Sequence, residues 1–307
     1  MKQLISWPVA SLLILAASSA SAQTTLRWQL KPGDRLTIET EQQTTSKVSY
    51  AGKETPTQID LAMTLGWEVT AAEDDTFTIK QSVRRLLVRI DSMAAGKVEY
   101  DSAKRIQPTG AARDIQLAVA PLLQAELELT MNARGEVLDA RPLGEAAEGL
   151  LSAGGEQAGA SATASQTMQQ LLRQPLVVLP EKEVNPGDTW KREHRLTTPL
   201  GPATQTTTYK YAGPAEDDKD LARIETTGEL KLTMPAGAAK GVALKGHEQS
   251  GAILFSTAAG RLVEAEQTQT LNTERPYRET TIMVSLTSKQ KTAVTPVNAS
   301  NQPPPAP

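Results

Sequence analysis

Ile59, Leu61, Met63, Leu65, Trp67 and Val69 alternate without a break with polar or small residues from Asp60 to Glu68. Six apolar residues at a period of two cannot share one stripe of a helix, so this stretch forms a strand with one buried face. Weaker runs of the same period recur at Leu36/Ile38/Thr40, Thr207/Tyr209/Tyr211, Ala222/Ile224/Thr226, Leu230/Leu232/Met234, Val263/Ala265 and Ile282/Val284/Leu286. Threonine is common in these runs, as suits a half-exposed pleated surface. One-faced alternation belongs to antiparallel sheets, because parallel ones are covered on both sides.

One run changes parity midway. Phe77, Ile79 and Val83 share one face, whereas Leu86, Val88 and Ile90 share the other. A flat strand would expose one of those sets, so a bulge or sharp bend is expected near Arg84-Arg85. Gly228 interrupts the strand expected at 221–234 and suggests a matching bend.

Three short landmarks occur twice in the same order. "KPGDRLTIE" (31–39) pairs with "NPGDTWKRE" (185–193), "AEDD" appears at 72–75 and 215–218, and "NARGEVLDA" (132–140) pairs with "TAAGRLVEA" (257–265). The first copy is longer by about the length of 108–125, which reads as an inserted helical segment. This order points to an internal duplication. Between the halves, residues 144–174 become rich in Gly, Ala and Ser, with short helices expected near 144–152 and 163–174. The expected organisation is a signal segment at 1–22, a first β repeat at 23–143 carrying a helical insert at 108–124, a connector at 144–174, a second β repeat at 175–292, and a disordered Pro-rich tail at 293–307.

The N-terminal stretch has a charge at Lys2, an apolar run around "SLLILAA" and the small-residue pattern Ala20-Ser21-Ala22. It reads as a secretory signal cleaved after Ala22, and its apolar run is too short to span a bilayer. A periplasmic or secreted location without a transmembrane anchor is expected. The sequence has no Cys, so packing alone must stabilise the fold. The net charge of −3, with no basic cluster, argues against a nucleic-acid partner.

The strings "VRRLLVRIDS", "EYDSAK", "ELTMNARGEVLDA" and "VLPEKEVNPGDTW", with the recurring "GD" and "EDD", carry a family likeness. The chain resembles a bacterial family of exported proteins of unknown function over roughly 26–290. The resemblance implies no catalytic or binding residues.

Motifs for chemistry are scarce. Numbering a calcium loop from Asp218 puts Asp220 and Glu229 at ligand positions, but Arg223 stands where the turn requires glycine. Both "AEDD" copies are better read as turns between strands, where Asp bonds local backbone N–H groups. His194 and His247 are the only histidines, too few and too far apart in sequence for a zinc motif. Ser288 and Lys291 match the S-x-x-K pattern without its companion motifs. Trp67 belongs to the core by its parity, and "GDTW" (187–190) opens the second half with Trp190 packed beneath the turn. No metal, cofactor or catalytic group is assigned.

The chain is thus expected to be mainly β, built from two related, curved antiparallel sheets, half-barrel-like, with a few short covering helices. By fold analogy this resembles periplasmic carriers of lipids and lipoproteins. The leading expectation is a non-enzymatic envelope protein that binds a lipid or an apolar segment of another envelope protein. Its expected ligand-facing residues are Leu61, Met63 and Leu65 on the sheet, and Ile115, Leu117, Val119, Leu122 and Leu123 on a covering helix. The alternative is a structural or interaction module whose concave faces are filled by side chains.

Overall fold

The structure is a computed structural model that describes residues 23–152, 176–198, 201–232 and 242–297. The signal segment 1–22, the stretch 153–162, the helix expected at 163–174 and the last ten residues lie outside the described residues.

The first half contributes β1 (Arg35–Tyr50), β2 (Lys53–Glu73), β3 (Thr76–Ser92), β4 (Gly96–Asp101), α1 (Ala111–Gln124), β5 (Glu126–Asn132), β6 (Val137–Leu143) and α2 (Glu145–Ser152). The second contributes β7 (Thr189–Thr198), β8 (Gly201–Pro214), β9 (Leu221–Leu232), β10 (Ala243–Ser256), β11 (Arg261–Tyr277) and β12 (Thr280–Pro296). All the strands join one twelve-stranded antiparallel sheet in the order β6-β5-β3-β2-β1-β12-β11-β10-β9-β8-β7, with β4 beside β3. The two curved sheets expected from sequence are therefore continuous. The joint is the pairing of β1 with β12, from Leu36↔Pro296 to Ser49↔Met283.

The sheet is strongly curved. Trp67 on β2 and Phe255 on β10 lie four strand spacings apart, about 19 Å along a flat sheet. Yet the single indole of Trp28 touches both, with ring centroids 6.1 Å and 5.8 Å away. Bulges supply part of the bend. One leaves Arg84 unpaired, between the pairs Thr64↔Arg85 and Leu65↔Val83, as the parity change required. Beyond it the buried set passes from Phe77, Ile79 and Val83 to Leu86. Gly228, in contrast, marks no bulge: its pairings with Thr207 and Gln249 keep register. Its missing side chain instead leaves room for Gln249, whose atoms lie where a Cβ would stand.

The core fills one end of the concave face. Leu26, Trp28 and Leu30 from the segment before β1, and Val177, Leu179 and Val184 from the segment before β7, are buried against Ile38, Leu65, Val69, Ile79, Ile224 and Phe255. The two segments are tied together at Thr24↔Val184. Helix α1 packs on β3, β4 and α2, burying Val119 and Leu122 and leaving Leu117 63% exposed. The tail was expected from 293, but β12 runs on to Pro296. The reason is Val294, 4% exposed and paired with Ile38 on the core face.

The two "PGD" turns are built alike. In each, the aspartate side chain accepts from a backbone N–H three residues earlier, Asp34 from Lys31 at 2.8 Å and Asp188 from Asn185 at 2.7 Å. Gly33 then donates to Val69 O at 2.8 Å, and Gly187 to Tyr211 O at 2.7 Å. A bulge follows each acceptor, at Val69/Ala71 and at Tyr211/Gly213. Both glycines hold positive φ, +90° and +99°. Gly33→Ala and Gly187→Ala should each cost about 1–2 kcal/mol, the penalty of a Cβ in the left-handed region, measurable by urea denaturation.

The "AEDD" copies differ in detail. Asp74 and Asp75 form a two-residue hairpin turn, both with positive φ, between Glu73 and its partner Thr76. Asp218 instead caps a longer loop, accepting from the Asp220 N–H at 2.9 Å. Among the described residues no group of three or more His, Asp or Glu side chains is placed to hold a metal ion.

Candidate functional site: the concave face of the sheet

Register places every inner-face side chain in rows that cross the strands. Closest to the core runs Met63, Thr40, Thr292, Ala265, Ile253, Ile224 and Tyr211. The next is Leu61, Gln42, Gln290, Gln267, Gly251, Thr226, Tyr209 and Trp190. A third runs Ile59, Thr44, Ser288, Gln269, Gln249, Gly228, Thr207 and Arg192. From the first row to the second, β11, β10 and β9 pass from Ala265, Ile253 and Ile224 to Gln267, Gly251 and Thr226, whereas β2 stays apolar.

A cavity of about 320 Å³ lies across these rows. One wall is apolar, with Met63, Leu65, Trp67, Leu176 and Ile253; the other carries Gln42, Gln205, Gln249, Gln267, Gln269 and Gln290 with Thr40, Thr207, Thr226, Thr292 and Ser288. Gln81 of β3, Arg192 and His194 of β7, Tyr209 of β8 and Ala265 and Glu266 of β11 complete the lining, and the Glu266 carboxylate turns to the outer face, where it binds Lys291 at 3.1 Å. Trp190 stacks on Tyr209 at 5.4 Å with planes 6° apart, and its indole N–H donates to Val178 O at 2.8 Å. That contact fixes the edge strand against the segment entering it.

Several polar groups of the wall hold one another. Gln205 donates to Gln249 at 2.5 Å, the Thr44 and Ser288 hydroxyls meet at 3.2 Å, and the buried Trp67 N–H donates to Gln81 at 2.7 Å. The Gln269 amide lies 3.0 Å from His247 Nε2, a hydrogen bond that a neutral imidazole accepts. Burial lowers the pKa of both histidines, and for His194 the neighbouring Arg192 charge lowers it further. Burial raises that of Tyr209.

Because the folded-state histidine pKa values lie below the unfolded value of about 6.5, protonation favours unfolding. Stability from these sites is complete above about pH 6.5 and declines as pH falls through the lowered folded values. Unfolding by denaturant at about pH 8 and pH 5.5 should show that loss, and the double variant His194→Gln/His247→Gln should show less of it. An equal loss in the variant would place the titration elsewhere.

Of the residues expected to face a ligand, Met63 and Leu65 line the cavity, 6% exposed each, and Leu61 follows them on the same face. Ile115, Leu117, Val119, Leu122 and Leu123 sit on α1, which lies over β3 and β4 and contributes nothing to the cavity lining. The glutamines were missed because alternation was sought in apolar residues alone. Their signal was present: Gln42 shares the parity of Leu36 and Ile38, and Gln249 that of Ile253 and Phe255.

Ser288 and Lys291 cannot act together. Ser288 is on the inner face, while Lys291 is on the outer one, bound to Glu264 at 2.9 Å and Glu266 at 3.1 Å. The outer face also has a broader depression, about 720 Å³, lined by charges of both signs including Glu41, Asp60, Arg89, Arg223 and Lys289. Its mixed charge and open shape single out no ligand, so the inner cavity is the better candidate.

A family model described as "Family of unknown function (DUF6263)" matches residues 74–260. No curated protein matches the chain. Among solved structures, lipovitellin, titled for its lipid–protein interactions, is similar at 11% identity and a TM-score of 0.45; 90% of this chain is covered, spanning 27% of that one. The COG4313 outer membrane channel from Pseudomonas putida F1 shares 8% identity with a TM-score of 0.24, covering 87% of this chain and 97% of that one. A DUF1329 family protein from Desulfovibrio piger shares 7% identity with a TM-score of 0.13, covering 81% and 83%. These likenesses carry no argument about function.

Proposed function

We propose, for a chain that belongs to the DUF6263 family of unknown function, that it is an exported, non-enzymatic envelope protein whose concave face binds a ligand with an apolar part. The observation that carries this reading is the cavity of about 320 Å³ with Met63, Leu65, Trp67 and Ile253 on one wall. Such a volume is at the low end of small-molecule sites, and one apolar wall facing hydrogen-bonding groups suits a ligand with two chemical ends. Export rests on the signal pattern at 1–22. Among the described residues no helix is long and apolar enough to cross a membrane.

Binding fits the polar wall better than catalysis does. Its groups are carboxamides and hydroxyls, which orient a ligand but neither take nor give protons near neutral pH. The histidines of that face, His194 in the lining and His247 beyond it, have no carboxylate partner there. The rival reading, a structural module with a filled inner face, fits the solid end around Trp28 but leaves the open cavity without a use.

Mass spectrometry of organic extracts from purified residues 23–307 tests the proposal. One amphiphile co-purifying in near-stoichiometric amount is the expected result. Empty extracts, together with no binding of added single-chain amphiphiles, would overturn it.

A further inference from the structure

The distribution of charge between the two faces of the sheet is lopsided. By register, no Asp or Glu of the described strands projects from the inner face; Glu39, Glu41, Asp60, Glu225, Glu248 and Glu266 all fall on the outer one. The inner face carries Arg192, Arg275 and Lys53 as its charged residues, the last two toward the far ends of the strands. Composition does not cause this, since the chain as a whole is net negative at −3.

Arg192 is the cation that lines the cavity, at the edge-strand end of the row that begins at Ile59. It is partly buried and makes no ion pair with any described residue. A half-buried guanidinium without a counter-ion favours a guest that brings the negative charge, since the one acidic lining residue, Glu266, spends its carboxylate on Lys291 at the outer face. Thr207 is its cross-strand partner, and His194 with Gln205 is the next inner-face pair along the same two strands. These neighbours supply further donors to an oxyanion. Across the cavity stand Met63, Leu65 and Trp67.

Building on the groove reading above, we infer that its ligand is an anionic single-chain amphiphile: a carboxylate, phosphate or sulfate head held at Arg192, with its acyl or alkyl chain against the Met63–Leu65–Trp67 wall. The shared feature is the oxyanion head, and the choice among the three is read from the test itself.

Calorimetric titration of residues 23–307 with dodecanoate, dodecyl phosphate and dodecyl sulfate, against neutral monolauroyl glycerol, all as monomers, separates the outcomes. At least one anion is expected to bind at a single site about tenfold or more tighter than the neutral lipid. Arg192→Gln should weaken that anion by about tenfold or more while moving the neutral lipid by less than about twofold, and Arg192→Lys should recover part of the loss. Should Arg192→Gln fail to fold, the wild-type chain decides: about 0.5 M salt should weaken the anion and spare the neutral lipid. Neutral and anionic ligands binding alike, insensitive to salt and to Arg192, would overturn this inference and leave the groove reading standing. No binding of any of the four would sink both.

Discussion

Replacing Trp28 by alanine is expected to destabilise the protein by about 3–5 kcal/mol, the usual cost of removing a buried indole. Trp28 is 2% exposed and precedes the sheet, yet its ring packs against both Trp67 of β2 and Phe255 of β10. Its loss leaves a void where the inward curve of the sheet is held, so the cavity should widen as well. Trp28→Phe is a useful companion. The indole N–H has no hydrogen-bond partner among the described residues, so phenylalanine gives up no hydrogen bond and should recover much of the loss. Urea denaturation followed by circular dichroism measures both variants. If Trp28→Ala unfolds at the wild-type midpoint, the segment before β1 is not the element that holds the curve.

Filling the groove should abolish binding without unfolding the chain. Ala265 sits on the inner face of β11, between Thr292 and Ile253, and lines the cavity. Ala265→Phe puts a ring into open space, so its stability cost should stay below about 1–3 kcal/mol, the range for overpacking a closed core. The same ring takes the volume an alkyl chain needs, and affinity for a single-chain amphiphile should fall about tenfold or more. Lys289→Ala, on the outer face, should leave binding unchanged. Equal affinity in all three proteins would place the ligand elsewhere.

The fold was legible where one kind of residue repeats at one period. The run from Ile59 to Val69 marked a strand and its buried face, and the parity switch between Val83 and Leu86 located the bulge at Arg84. Paired "PGD" strings marked turns that share their hydrogen bonds. The joint between β1 and β12 was not legible, because pairing across the whole length of the chain leaves no local trace. Nor was the plug: Leu26, Trp28 and Leu30 alternate, but nothing in three residues says that they cross a concave sheet rather than extend it. Gly228 misled for a related reason. A glycine in a strand signals a bend or a close neighbour, and only the cross-strand position of Gln249 decides between them.

Two residues of the candidate site's lining, Met63 and Leu65, were named from the sequence. Met63 and Leu65 were found by apolar alternation, which finds buried surface and passes over a neutral-polar wall. The helix residues followed from the idea that an apolar sheet face must be covered. In the structure the inner face is covered largely by the segments around Trp28 and Leu179, while α1 covers β3 and β4. The glutamine rows needed a register, since Gln42 of β1 meets Gln290 and Gln267 of β12 and β11 only across the joint between the first and last strands.

Photo-crosslinking with a dodecanoic acid that carries a diazirine at the end of its chain tests the central claim most directly, with the labelled peptides mapped by mass spectrometry. If the concave face holds the apolar chain, label falls on peptides containing Met63, Leu65 or Ile253, and excess unlabelled dodecanoate removes it. Label confined to the outer face, around Arg89 and Lys289 or at the exposed Met283, would contradict it.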